Sequence, residues 1–215
     1  MIVEKKIFIG LHKHLHLLSR KVVNINTINK MIPLGIYTLF FTINLVVALQ
    51  LKMLHMTTDE FGVLAISAFF VGKDWSSLVS QFGYYGYGLS LLYTPFFFFI
   101  KDPITLYTAL IVYNSFIISF IPLIVFHINR KYFGISNLKA NLLLTFASSL
   151  YPFNLVYSKW TVNETLMALL PWLCIWVFAR LVSQLNDNNK VRNLLSVLLA
   201  FLLSYGYATH GRFIA

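Results

Sequence analysis

Five stretches of the chain are long, apolar and nearly free of charge: residues 31–51, 104–127, 140–157, 165–185 and 194–207. The first has 21 residues, against the ~20 that carry a helix across the hydrocarbon core of a bilayer. Pro152 interrupts the third run. Residues 52–103 follow a different rule. Leu64 to Val71 is apolar but too short to span, and Lys73-Asp74-Trp75 ends it. Glycine and tyrosine then alternate from Gly83 to Gly88, as in a turn at a membrane interface, where tyrosine is enriched. Leu91 to Ile100 closes the segment with Pro95 and four consecutive phenylalanines, Phe96 to Phe99. The pattern predicts an all-α, polytopic membrane helix bundle. It has about five transmembrane helices, and the first outer loop (52–103) holds two interfacial helices.

Composition agrees. Hydrophobic residues make up 58% of the 215 and charged residues only 11%, where a soluble domain carries about a quarter. Mean hydropathy is +0.73. In such a chain a net charge of +10 is no nucleic-acid signal, because basic residues of membrane proteins gather in cytoplasmic loops and at anionic headgroups. Cys174 is the single cysteine, so no intrachain disulfide can form.

Charge also decides how 87–100 lies. If it stays in the interface, cytoplasmic segments hold 12 basic and 2 acidic residues, and outer segments 5 of each. If it crosses, the basic residues divide 9 inside to 8 outside. The positive-inside rule selects the first arrangement, with the N-terminus cytoplasmic in an integral (plasma) membrane protein. Residues 1–30 are then a cytoplasmic basic lead, and 31–215 form the transmembrane domain. The lead is too long, and the run after it too extended, for a cleavable signal. His12, His14 and His16 alternate in the lead. On a strand they would share a face as metal ligands do, but no cysteine or acid lies nearby to complete a set, and a basic membrane-facing segment is the simpler reading.

This topology puts three polar elements on the outer face: Asp59-Glu60 after the first span, Lys159 to Glu164 between the third and fourth, and His210-Gly211-Arg212 after the fifth. Together they offer a carboxylate base, a second carboxylate and cationic donors for an anion. Trp75, Tyr84, Tyr85 and Tyr87 offer an aromatic floor for a sugar ring. Each has a plainer reading. With Thr58 as N-cap, Asp59 and Glu60 suit the start of a helix, and so does Glu164. Arg212 suits a helix end at headgroups. Asn163-Glu164-Thr165 matches a glycosylation sequon but lies too close to the membrane to be an acceptor.

The order of these motifs resembles the GT-C superfamily of polytopic glycosyltransferases, such as protein mannosyltransferases and aminoarabinose transferases. The matching residues are Asp59-Glu60-Phe61-Gly62, Trp75, Tyr85-Gly86-Tyr87-Gly88 through Pro95, and Asn163-Glu164. The resemblance covers roughly residues 31–212 and rests on short motifs. Such enzymes usually have more spans, so this chain looks like an N-terminal part of one. The resemblance implies a polyprenyl-phosphate-linked sugar donor and an acceptor hydroxyl deprotonated by Asp59, with Glu60 beside it. Attack then inverts the anomeric carbon. It further implies that His210 and Arg212 hold the charge of the phosphate and that Glu164 orients the acceptor or a partner cation, with Lys159, Trp75, Tyr85 and Tyr87 as further substrate-binding candidates on the same face. A divalent metal at the acidic pair would fit the same scheme, and so would a partner subunit that supplies further helices. A transporter or flippase is the rival reading, against which no acid or base lies in the middle of a span. A non-catalytic membrane subunit is the other.

Overall fold

The computed structural model describes residues 31–50, 58–75, 77, 86–150, 152–184 and 189–210. The described residues form helices joined by turns: α1 (Met31–Leu49), α2 (Thr58–Phe70), α3 (Gly88–Phe99), α4 (Pro103–Ile118), α5 (Phe120–Lys131), α6 (Leu138–Ser149), α7 (Pro152–Tyr157), α8 (Glu164–Ser183) and α9 (Asn189–Thr209). The protein is therefore all-α among the described residues. The histidines of the basic lead, Tyr84, Tyr85 and Arg212 lie outside them.

Local chemistry sets several of these boundaries. Asp102 caps α4: its carboxylate accepts from the Thr105 backbone N–H at 2.8 Å and from the Thr105 hydroxyl at 2.7 Å, and Pro103 follows where no helical N–H is needed. The Thr105 hydroxyl and then the Thr105 N–H hold the Asp102 carboxyl below the ordinary aspartate range. Asn137 caps α6 through the N–H groups of Lys139 and Ala140. Thr58 is the first helical residue of α2 rather than its flank.

Among the described residues, four helical stretches are long and apolar enough to cross a membrane: Met31–Leu49, Pro103–Lys131 (α4 and α5 joined at Ser119), Glu164–Ser183 and Asn189–Thr209. They match four of the five expected runs. The run 140–157 differs. Helix α6 ends at Ser149 and α7 starts at Pro152, so the stretch is two helices of 12 and 6 residues. Proline lacks the N–H that a continuing helix needs, and it pushes the residue before it out of the helical region. Helix α3, at 12 residues, is likewise too short to span, in keeping with an in-plane placement.

The core lies where α8 packs against α4, α5 and α9, with α2 and α3 closing one end. Helix α1 docks through Ile36 and Phe40 on Phe126, through the Asn44 amide donating to the Ser119 hydroxyl at 3.2 Å, and through Ala48 beside Tyr107. The outward faces stay apolar: Leu194, Val197 and Phe201 on α9 are exposed, as are Phe98 and Phe99 on α3. In water, contiguous faces of this kind would be a liability; in lipid they are the solvent-facing surface. The chain is a helical membrane protein.

Helices α2 and α3 pack through small side chains. The Ser67 hydroxyl donates to the Val63 and Ser90 carbonyls, and the Ser90 hydroxyl donates to Val63 at 3.0 Å. Helix α3 meets the end of α9 more tightly still. The Tyr87 N–H donates to the Ala208 carbonyl at 2.8 Å, and the Tyr205 hydroxyl donates to the Gly88 carbonyl at 2.6 Å. A Cβ on Gly86 would overlap the Thr209 carbonyl and sit 2.6 Å from that of Ala208, both backbone atoms that cannot rotate away. Gly86→Ala should therefore push α3 off α9 and cost about 1–3 kcal/mol. Thermal unfolding in detergent will show it, with Gly35→Ala in α1, which meets open space, as the control that should leave stability the same or slightly raised.

Candidate functional site

The acidic pair divides. Glu60, in the first turn of α2, is 1% exposed, while Asp59 is exposed. Successive helical residues point about 100° apart. Glu60 shares its face with Val63, Leu64 and Ser67, all buried, and is carried into the core with them. One oxygen of its carboxylate accepts three hydrogen bonds. These come from the Tyr107 hydroxyl at 3.0 Å, the Thr161 N–H at 2.8 Å and the Thr161 hydroxyl at 3.1 Å. Those donors belong to α4 and to the turn between α7 and α8. A buried carboxylate is tolerated only with such company. Glu60 therefore ties the first loop to two other parts of the bundle.

A second polar chain backs the first. The Tyr93 hydroxyl donates to Asn114 at 2.6 Å, and the Asn114 amide donates to the Trp160 carbonyl at 2.7 Å. The α7–α8 turn is thus held at both Trp160 and Thr161. The Thr165 hydroxyl donates to the Tyr157 carbonyl at 2.9 Å and closes the turn on itself.

These bonds place Asp59 at the edge of that turn. Tyr157 lies within electrostatic reach of both Asp59 and Glu164. Glu164 and Lys159 are half-buried on the same turn. Asn163 occupies the N-cap position of α8 but makes no capping bond; it is 4% exposed, and its Oδ1 has no hydrogen-bond partner. A buried acceptor left in that state costs about 1–3 kcal/mol unless a donor reaches it.

The other expected residues fall elsewhere. Tyr87 is exposed, its ring tilted against that of Phe70 at 6.2 Å between centres. His210 follows α9, its N–H on the Gly206 carbonyl, two residues beyond the Ala208 carbonyl that the Tyr87 N–H reaches. About 17 Å of helix separates Asp59 from Phe70. The structure thus groups Asp59, Lys159 and Glu164 at one end of α2, and Tyr87 with His210 at the other. Trp75 packs edge-on against Phe97, 6.1 Å between ring centres. A single convergent cluster of all the expected residues does not form among those described.

The acidic pair also fits a divalent metal poorly. One carboxylate is turned into the core, and its oxygen already serves three donors. Among the described residues no group of three or more histidine, cysteine, aspartate or glutamate side chains could hold a metal ion.

Tyr107 and Asn114 are the site residues that the motifs did not touch, and Thr161 lay inside the Lys159–Glu164 element without a role of its own. Asn114 carried a signal, since an amide in the middle of an apolar run generally bonds to a neighbouring helix. Comparison of the chain with protein-family models, curated proteins and solved structures finds no match.

Proposed function

We propose that the chain is a membrane glycosyltransferase of the GT-C type. It transfers a sugar from a polyprenyl-phosphate donor to an acceptor hydroxyl on the outer face, with the N-terminus cytoplasmic. The observation that carries the reading is the division of the acidic pair. Glu60 pins α2 to Tyr107 and Thr161, and this pinning presents Asp59 beside the turn that bears Lys159, Asn163 and Glu164.

In this reading Asp59 takes the proton of the acceptor hydroxyl as that oxygen bonds to the anomeric carbon. The bond from carbon to the phosphate oxygen breaks with inversion, and its electron pair leaves with the polyprenyl phosphate. Phosphate is a good leaving group, so a nearby cation suffices in place of an acid. Lys159 suits that role better than His210, which lies with Tyr87 at the other end of α2. Asn163 Oδ1 accepts from a sugar or acceptor hydroxyl, and Glu164 orients the acceptor.

The test is donor turnover. Full-length protein in nanodiscs is given radiolabelled polyprenyl-phosphate sugars and a mixture of acceptors. Labelled product and free polyprenyl phosphate should appear together. Tight donor binding with no release of polyprenyl phosphate from any donor would favour a non-catalytic or transport role instead.

A further inference from the structure

A second site lies at the other end of the bundle. The continuous helix Pro103–Lys131 runs from beside Glu60, where Tyr107 sits, to a groove between α5, α8 and the start of α1. The groove encloses about 850 Å³, within the 300–1,000 Å³ range of pockets that hold whole ligands. Its walls are apolar: Phe120, Leu123, Leu169, Leu173 and Trp176 among others. Among the described residues, its charged or titratable lining is His127, Arg130 and Lys131, three exposed side chains at the C-terminal end of α5. The His127 ring stands 6.1 Å from that of Trp176, and Arg180 of α8 lies within electrostatic reach of His127. Among the described residues no acid lines the groove.

We infer that this groove seats an anionic phospholipid, its acyl chains between α5 and α8 and its headgroup on Arg130 and Lys131. The argument is charge complementarity. A long apolar slot ending in cations matches an amphiphile with an anionic head, and basic pockets between membrane helices bind such headgroups. The same sign test disfavours two other occupants. The chain's own residues 1–30 carry six lysines and arginines against Glu4 alone. A second copy docked head to head would bring the same cations to the same rim. The site is independent of the sugar-transfer reading, since it shares no residue with the Asp59 region.

Native mass spectrometry of the full chain tests it. Delipidated protein is offered equal phosphatidylglycerol and phosphatidylcholine. Wild type should retain phosphatidylglycerol preferentially. Each basic residue near a headgroup contributes about fivefold in affinity, so R130Q/K131Q should weaken that preference by about 25-fold. Both positions are exposed, and the variant should fold. A photo-cross-linking residue at Leu173 should capture lipid. An unchanged preference in R130Q/K131Q would overturn the inference. Competition by soluble glycerol phosphate as effective as that by the lipid would also overturn it, as would capture of residues 1–30 or of a second copy at Leu173.

Discussion

Asp59→Asn should fold normally yet lose at least about a hundredfold in sugar transfer, because removing a general base typically costs 10²–10⁴ in rate. Asparagine keeps the size of the side chain, and the lost charge in the first turn of a helix costs only about 0.3–1 kcal/mol, so a merely structural role would leave the protein folded and active. Asp59 is exposed and belongs to none of the hydrogen bonds that fasten α2 to Tyr107 and Thr161. The expected signature is an unchanged melting temperature in detergent and a collapsed rate. Near-full transfer by Asp59→Asn would remove the base from this position.

Glu60 should behave in the opposite way. Glu60→Ala strips the acceptor from the Tyr107 hydroxyl and from both donors of Thr161. Each buried donor left unsatisfied costs about 1–3 kcal/mol, so the loss should reach about 3 kcal/mol or more. Helix α2 and the α7–α8 turn should loosen together, seen as faster proteolysis and hydrogen exchange at both. Glu60→Gln keeps an acceptor oxygen and forfeits only charge-assisted strength, a loss of about 1 kcal/mol. Its transfer should fall only as far as Asp59 is displaced. Equal melting of wild type and Glu60→Ala would show that the carboxylate does not hold these elements.

Much of the fold was legible because the apolar runs are long and the bilayer sets their length. Charge asymmetry gave 87–100 an in-plane reading, and α3 is a short helix. The run 140–157 reads as a span interrupted at Pro152, and the chain breaks there into α6 and α7; hydropathy alone averages over a break that proline makes locally. The acidic pair was visible, but the motif cannot say which carboxylate turns inward. Spacing does not say so either, since Asp59 shares a helical face with Gly62, Val63 and Ile66 just as Glu60 does with Val63, Leu64 and Ser67, and all of these are buried. The partners of Glu60 could not be read that way. Tyr107 and Thr161 lie 47 and 101 residues along the chain, and nothing local to Glu60 points to them. The same holds for His210. The end of α9 that carries it reaches the Tyr87 backbone because Gly86 and Gly88 let α9 approach, and nothing near His210 in the sequence points to that contact.

The division of the acidic pair can be measured directly by carboxyl labelling. Sealed vesicles with the outer face exposed are treated with a membrane-impermeant carbodiimide and an amine, and the modified residues are mapped by peptide mass spectrometry. Asp102, exposed at the start of α4, serves as the internal standard for that face. The account predicts rapid labelling of Asp59, loss of sugar transfer in step with it, and protection of Glu60 until the protein is unfolded. It also predicts that Glu4 and Asp187 react only once the vesicles are opened. Labelling of Glu60 with Asp59 spared, or of Glu4 and Asp187 in place of Asp59 and Asp102, would contradict it.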